Sequence, residues 1–233
     1  MKKITVISDI HGRSIWEKIV AKEFDSDLFI FLGDYFDSFD LSGITQLDNF
    51  KKIIEFKKTN LDKVTLLVGN HDYHYLPCCD GVYSGYQPIF SYDIGTLLNE
   101  CIKENSLSMC YIHNKFLFTH AGVSKVYLKA NNYDNVQPLD EFINDLFTFT
   151  PKVFNFTIGR NFDNSGNDVS QTPIWIRPRS LSKSYIDGYK QIVGHTSVPN
   201  IEIIDDNIFL TDVYNNNDEY LVIKNNKVNI EKI

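Results

Sequence analysis

Ile4-Thr5-Val6-Ile7-Ser8-Asp9-Ile10-His11-Gly12 opens the chain with a short apolar run that ends on an acid, an imidazole and a glycine. The same change recurs four times further along. Leu28-Phe29-Ile30-Phe31-Leu32 runs into Gly33-Asp34-Tyr35-Phe36-Asp37, and Val64-Thr65-Leu66-Leu67-Val68 into Gly69-Asn70-His71-Asp72. Phe116-Leu117-Phe118 precedes Thr119-His120-Ala121-Gly122, and Ile192-Val193 precedes Gly194-His195-Thr196. Runs of this length and composition predict buried strands. Between the first three, Ile15, Trp16, Ile19, Val20 and Ala21 fall at helical spacing over 13–24. Leu47, Phe50, Ile53, Ile54 and Phe56 do the same over 45–59. Strands separated by helices predict parallel βαβ units and an α/β fold. Donors at the ends of strands that lie side by side can converge on one point.

The rest of the chain is read from the same patterns. A helix is expected from Tyr92 to Glu104, then strands near 107–112 and 115–119. Ile201-Glu202-Ile203-Ile204, Ile208-Phe209-Leu210 and Tyr220-Leu221-Val222-Ile223-Lys224 are short strands broken by Asp205-Asp206-Asn207 and Asn215-Asn216-Asn217 turns. They predict an antiparallel meander forming a second sheet. Over 130–171 the pattern loosens around one amphipathic stretch, Leu139, Phe142, Ile143, Leu146 and Phe147, and a polar loop from Asn161 to Asn167.

Composition narrows the class. With 233 residues, 43% hydrophobic and 14% aromatic, the chain is expected to fold as one domain, 1–233, around a well-buried core. A formal charge of −7 argues against a dedicated nucleic-acid binder. Cys78, Cys79, Cys101 and Cys110 do not make a disulfide framework in a chain this long, so free thiols are expected. The apolar run after Met1-Lys2-Lys3 is too short for a signal sequence, and no segment approaches a membrane span. A cytoplasmic location follows as the expectation. Nothing in the sequence sets an oligomeric state.

Carboxylate, imidazole and amide oxygen together suit hard and borderline divalent cations. Asp9 and His11 are two apart, and on an extended chain they point the same way. No serine or cysteine triad competes with a metal centre.

The ordered set Asp-x-His, Gly-Asp-x-x-Asp, Gly-Asn-His-Asp, His and Gly-His resembles the calcineurin-like metallophosphoesterase superfamily. It is most similar to the phosphoprotein-phosphatase branch, in its bacterial and phage form, from the N-terminus to about Thr211. The resemblance implies a four-layer α-β-β-α sandwich of two mixed sheets with flanking helices. It implies two divalent ions ~3.5–4 Å apart, manganese by family expectation, with Fe, Zn, Ni or Co also accepted. Asp9 and His11 would hold the first ion, Asp34 both, and Asn70, His120 and His195 the second. Some members carry one more histidine two residues after the last Gly-His; here Ser197 stands there. His71 would be the general acid, oriented by Asp37, and the nucleophile a metal-bridging hydroxide.

A phosphate dianion also wants a bidentate donor. The four arginines are Arg13, Arg160, Arg177 and Arg179. The branch commonly has arginine directly after the second aspartate of Gly-Asp-x-x-Asp, where this chain has Ser38. Arg177, in Pro173-Ile174-Trp175-Ile176-Arg177-Pro178-Arg179, is the first candidate for the phosphate contact, Arg13 the second, and Arg179 reads as a surface charge. The 130–171 stretch would form a variable wall that chooses the substrate. The implied activity is hydrolysis of phosphomonoesters, as in serine/threonine protein phosphatases. The alternatives are a small-molecule phosphohydrolase, acting on dinucleoside polyphosphates or cyclic nucleotides, and a non-catalytic scaffold of the same fold. His74 reads as pocket lining, as a hydrogen-bonding support or as packing; Tyr83-Ser84-Gly85-Tyr86-Gln87 reads as a substrate-facing loop or a plain aromatic turn; His113 reads as structural.

Overall fold

The computed structural model describes residues 2–159, 162–214 and 217–233. Arg160, the start of the polar loop at Asn161, and Asn215 and Asn216 of the last turn lie outside the described residues. The order is β1 (Ile4–Ile7), α1 (Ile15–Lys22), β2 (Leu28–Phe31), α2 (Gly43–Thr59), β3 (Val64–Leu67), α3 (Asn70–Tyr73), α4 (Ser91–Lys103), β4 (Leu107–Ser108), β5 (Cys110–His113) and β6 (Phe116–Thr119). There follow α5 (Lys125–Ala130), α6 (Leu139–Phe149), α7 (Pro178–Leu181), β7 (Lys190–Val193), β8 (Glu202–Ile204), β9 (Ile208–Leu210), β10 (Glu219–Lys224) and β11 (Lys227–Lys232).

Two mixed sheets result, one ordered β11-β10-β1-β2-β3-β4 and the other β5-β6-β7-β9-β8. Every residue of β1, β2 and β6 is buried, as strands covered on both faces must be. β1, β2, β3 and β4 run parallel, and so do β6, β7 and β9. Helices flank the two sheets in an α-β-β-α arrangement. α2 starts at Ser42, whose hydroxyl accepts the Thr45 N–H, and it buries Leu47, Phe50, Ile53 and Ile54. α6 buries Leu139, Ile143 and Phe147, one face at four-residue spacing. Among the described residues no helix is long and apolar enough to cross a membrane. All four cysteines are free thiols.

Two expectations need correction. The last strands are not one meander. β8 and β9 pair antiparallel in the second sheet, but β10 pairs antiparallel with β1 in the first and carries β11 at its outer edge. The reason is visible in β10, where Tyr220, Leu221, Val222 and Ile223 are all buried. A strand apolar on both faces needs a position covered on both faces, and the free side of β1 supplies one. The run near 107–112 is also two strands, β4 in the first sheet and β5 in the second. Asn144 of α6 covers the break. Its Oδ1 accepts the N–H of Met109 at 2.9 Å and of Cys110 at 3.1 Å, and its Nδ2 donates to the Cys110 carbonyl at 2.9 Å. The side chain replaces ladder bonds that the chain gives up in changing sheets.

Candidate active site

The five donor-bearing loops leave the C-terminal ends of β1, β2, β3, β6 and β7, which are parallel within each sheet. Asp9, His11, Asp34, Asp37 and His195 all have left-handed backbones, with φ of 38, 42, 56, 69 and 64°. Such conformations cost roughly 1–3 kcal/mol each in non-glycine residues and cluster at functional sites. The Asp9–His11 stretch is therefore turned rather than extended, contrary to the expectation from spacing. Gly69 and Gly194 let the loops close on one another. A side chain on Gly69 would collide with Asp34, and one on Gly194 with Asp9 and Ser8. Asp72 ties two loops together, its carboxylate accepting N–H groups from Asp34 at 2.7 Å, Tyr35 at 2.8 Å and Gly69 at 2.9 Å. Burial, and then the charge of Asp34, push its pKa up to about 7.

These loops bring Asp9, His11, Asp34, Asn70, His120 and His195 together. Ligand atoms of Asp9, Asp34 and His120 lie within 4.8 Å of one another. Asp34 Oδ2 is 3.4 Å from His120 Nε2 and 3.8 Å from His11 Nε2, so one carboxylate reaches imidazoles from both sheets. Asn70 Oδ1 lies 2.8 Å from His120 Nε2 and 2.8 Å from His195 Nδ1. The His195 N–H donates to Asp9 Oδ1 at 2.8 Å.

The rings are held by backbone carbonyls. His120 Nδ1 faces the Leu32 carbonyl at 2.9 Å, His11 Nδ1 the Phe36 carbonyl at 2.5 Å, and His195 Nε2 the Trp175 carbonyl at 3.1 Å. A carbonyl can only accept, so these nitrogens carry the protons. The opposite nitrogens point into the cluster, where they can offer lone pairs to an ion. Two ring nitrogens then face an amide oxygen, with two carboxylates beside them. Such a set of acceptors calls for a cation, and its mixture of N and O donors fits a divalent one. The pocket favours positive charge at this point: burial opposes charge on His120, yet the Asp34 carboxylate overrides it and lifts the pKa to about 9.

His71 stands at the edge of this cluster. Its N–H donates to Asp34 Oδ1 at 2.9 Å, and its Nδ1 lies 2.8 Å from Asp37 Oδ2. Burial works against the imidazolium, but the charge of Asp34 and then the bond to Asp37 raise its pKa above the ordinary value. The sequence pairs His71 with Asp37; it does not reveal how crowded Asp37 is. His74 accepts the Tyr83 N–H at Nδ1, 3.1 Å away, so its proton sits on Nε2. That nitrogen is 2.6 Å from Asp37 Oδ2, close to it but not aligned as a hydrogen bond. The Tyr75 hydroxyl donates to the other oxygen, Oδ1, and accepts the Gln87 N–H at 2.8 Å. His74 thus supports Asp37 from the buried side. No role for Asp72 or Tyr75 is read from the sequence. Only the position of Asp72, directly after His71 in its motif, could have marked it.

The arginines separate. Arg13 lines a cleft of about 290 Å³ with His11, Asp37, Ser38 and His71. Its guanidinium donates to the Ile10 carbonyl at 3.3 Å and lies 3.9 Å from Asp40. Arg177 is half-buried and fastened to the His195 loop. Its Nη1 donates to the His195 carbonyl at 3.0 Å and Thr196 Oγ1 at 3.1 Å, and its Nε to the Ser165 carbonyl at 2.9 Å. Arg179 is exposed. Ser38 is buried and makes a turn, its hydroxyl accepting the N–H groups of Asp40 and Leu41, both at 3.2 Å.

Known proteins share the fold and part of the sequence. Serine/threonine-protein phosphatase ppe1 of Schizosaccharomyces pombe is 32% identical over 126 residues, which cover 52% of this chain and 39% of that protein. The catalytic subunit of serine/threonine-protein phosphatase 4 of Eremothecium gossypii is 29% identical over 128 residues, with the same coverage of 52% and 39%. The chain therefore spans well under half the length of these relatives. Among solved structures, a mutant cold-active protein tyrosine phosphatase superposes over 100% of this chain and 80% of its own, with a TM-score of 0.63 at 18% identity. A protein serine/threonine phosphatase from Saccharomyces cerevisiae covers 100% and 79%, with a TM-score of 0.58 at 13% identity. At such identities the structures establish the fold alone. The family model described as calcineurin-like phosphoesterase matches residues 2–199, from β1 past the His195 loop. The acceptor cluster that calls for a divalent cation lies wholly within that span, and the chain belongs to the calcineurin-like phosphoesterase family.

Proposed function

We propose that the protein is a phosphomonoesterase of the phosphoprotein-phosphatase type, working with two divalent ions. The observation that carries this reading is Asp34, whose carboxylate reaches both His11 and His120 and can serve two ions at once. Asp9 and His11 would complete one position, and Asn70, His120 and His195 the other. When bound, the ions supply Lewis-acid polarisation of the phosphoryl oxygens and make nearby water more acidic. Manganese is the ion expected from the resemblance.

The chain's own groups then divide the work. Asp37 takes the Nδ1 proton of His71 in a hydrogen bond, which leaves Nε2 as the acid that protonates the departing ester oxygen as the P–O bond breaks. Arg13 in the cleft and Arg177 beside the His195 loop offset the charge of the dianion. The 130–171 stretch contributes a wall. Phe156 packs on Trp175 at 5.1 Å, and Trp175 presents its carbonyl to His195. The phosphatase names of the two relatives of similar sequence support a phosphomonoester as substrate.

Elemental analysis of the protein stripped and reloaded with Mn²⁺, beside its hydrolysis of nitrophenyl phosphate, tests the reading. Asp34→Asn should lose most of the bound metal and most of the activity. Full occupancy and rate in that variant would overturn the shared role of Asp34.

A further inference from the structure

Phe39, Ile44, Val82, Ile89 and Tyr92 are between 59 and 88% exposed. Single exposed apolar residues are ordinary, but a group of them on one face marks a contact surface. These five lie on two short segments, 37–44 and 82–93, that pack against each other. A side chain on Gly43 would run into the Phe90 ring, and one on Gly85 into Asp37. The Tyr75 hydroxyl joins the segments again, donating to Asp37 and accepting the Gln87 N–H. The buried turn at Ser38 sends Phe39 outward. Phe39 and Ser84, one from each segment, line the His71 cleft. The apolar strip is thus continuous with the cleft.

A small phosphoester fills a cleft of about 290 Å³ and meets only Phe39 of this group. Ile44, Val82, Ile89 and Tyr92 lie beyond the cleft lining and are reached only by a longer ligand. A polypeptide meets that requirement: its phosphorylated side chain enters the cleft while its neighbours lie on the rim. Asp40 and Asp93 are exposed on the same two segments, and the chain carries a formal charge of −7. An acidic flank is therefore repelled. We infer that the rim formed by Phe39, Ile44, Val82, Ile89 and Tyr92 is a docking surface for phosphorylated polypeptide segments with apolar residues beside the phosphorylated one.

This inference rests on the phosphomonoesterase reading, and its test separates the two. Two phosphoserine peptides, alike except for leucine and phenylalanine or glutamate on the flanks, are compared with nitrophenyl phosphate on the Mn²⁺-loaded protein. Burying even part of one such side chain should raise kcat/KM for the apolar peptide by about ten-fold over the acidic one, mainly through KM. The double variant Ile89→Ser, Tyr92→Ser should abolish that preference. It should leave nitrophenyl phosphate turnover unchanged, because neither residue lines the cleft. Turnover of nitrophenyl phosphate with equal peptides, or a preference that survives the double variant, overturns the docking surface alone. A change of oligomeric state in the variant by sedimentation makes the rim a face between copies and overturns it too. Failure of the Mn²⁺-loaded protein to hydrolyse any of the three phosphoesters overturns the phosphatase reading and the inference with it.

Discussion

Asp37 faces two imidazoles and a phenol, and its bonds to His71 and Tyr75 hold the His71 ring in one orientation. Burial alone would raise the Asp37 pKa, but the hydrogen bond from His71 and the nearness of His74 hold it below the usual carboxylate range. An ionised Asp37 fixes the His71 tautomer with its free proton on Nε2. His71→Asn should therefore lower kcat by roughly 10²–10⁴-fold with metal content largely kept. The loss should shrink as the leaving group becomes more acidic. Equal losses on aryl and alkyl phosphates would contradict an acid role. The arginines give a second prediction. Arg177→Ala should lower kcat/KM by about one to two orders of magnitude, since a hydrogen bond between charged groups is worth ~1.5–3 kcal/mol. Lysine should restore only part of it, while Arg179→Ala stays near wild type. Metal analysis of Arg177→Ala then tells a lost phosphate contact from a loosened His195 loop. The donors were legible one by one because each stands beside a glycine at the end of an apolar run. The supports were not. Tyr75 is one tyrosine among thirteen, and its partner Asp37 is 38 residues away.

Elements explain why those donors stay where they are. Phe50 on α2 is fully buried, with its ring 4.6 Å from Tyr35 and 5.1 Å from Phe36. Those two rings lie between Asp34 and Asp37 in the chain, so the helix acts as the floor of that loop. Phe50→Ala should cost about 3–5 kcal/mol of stability. It should also weaken metal binding, because Asp34 loses its backing; calorimetry and metal titration would check the two effects. If stability falls and metal affinity does not, the loop is held by the Asp72 bonds alone. α2 was readable from its 3.6-residue period, and β1 to β3 from their apolar runs. The change of sheet between β4 and β5 was not, since Leu107 to Ile112 reads as one strand unless the Asn144 side chain is known to cover the break. Strand pairing at the C-terminus failed for a related reason. Tyr220 to Ile223 announces a buried strand but not whose edge it will cover.

At the scale of the whole molecule, the site is a seam between two sheets. Asp9, Asp34 and Asn70 come from the first, His120 and His195 from the second, and the Asp9–His195 and Asn70–His120 contacts cross between them. Anything that misplaces β1 misplaces Asp9, and the far side of β1 is covered by β10. The register of β10 has a polar anchor. Tyr220 donates to Glu23 Oε1 at 2.6 Å, and Lys3, just before β1, reaches Glu23 Oε2 at 2.7 Å. Burial alone would raise the Glu23 pKa, but Lys3 and Tyr220 prevail and hold it below its ordinary 4.5. A depressed carboxylate pKa stabilises the folded state fully above the unfolded value. That contribution is lost as pH falls through the folded one. Glu23→Gln should therefore cost about 1.5–3 kcal/mol at neutral pH, the usual worth of hydrogen bonds to a charged group. The gap between variant and wild type should close as pH drops below the ordinary carboxylate range, because the protonated glutamic acid then resembles glutamine. Thermal unfolding of both proteins from neutral to acidic pH measures this, with metal removed so that its own pH dependence does not intrude. A gap that stays constant through acid would mean that Glu23 acts by its shape and not by its charge, and that the anchor of β10 lies in the packing of Tyr220 against α1.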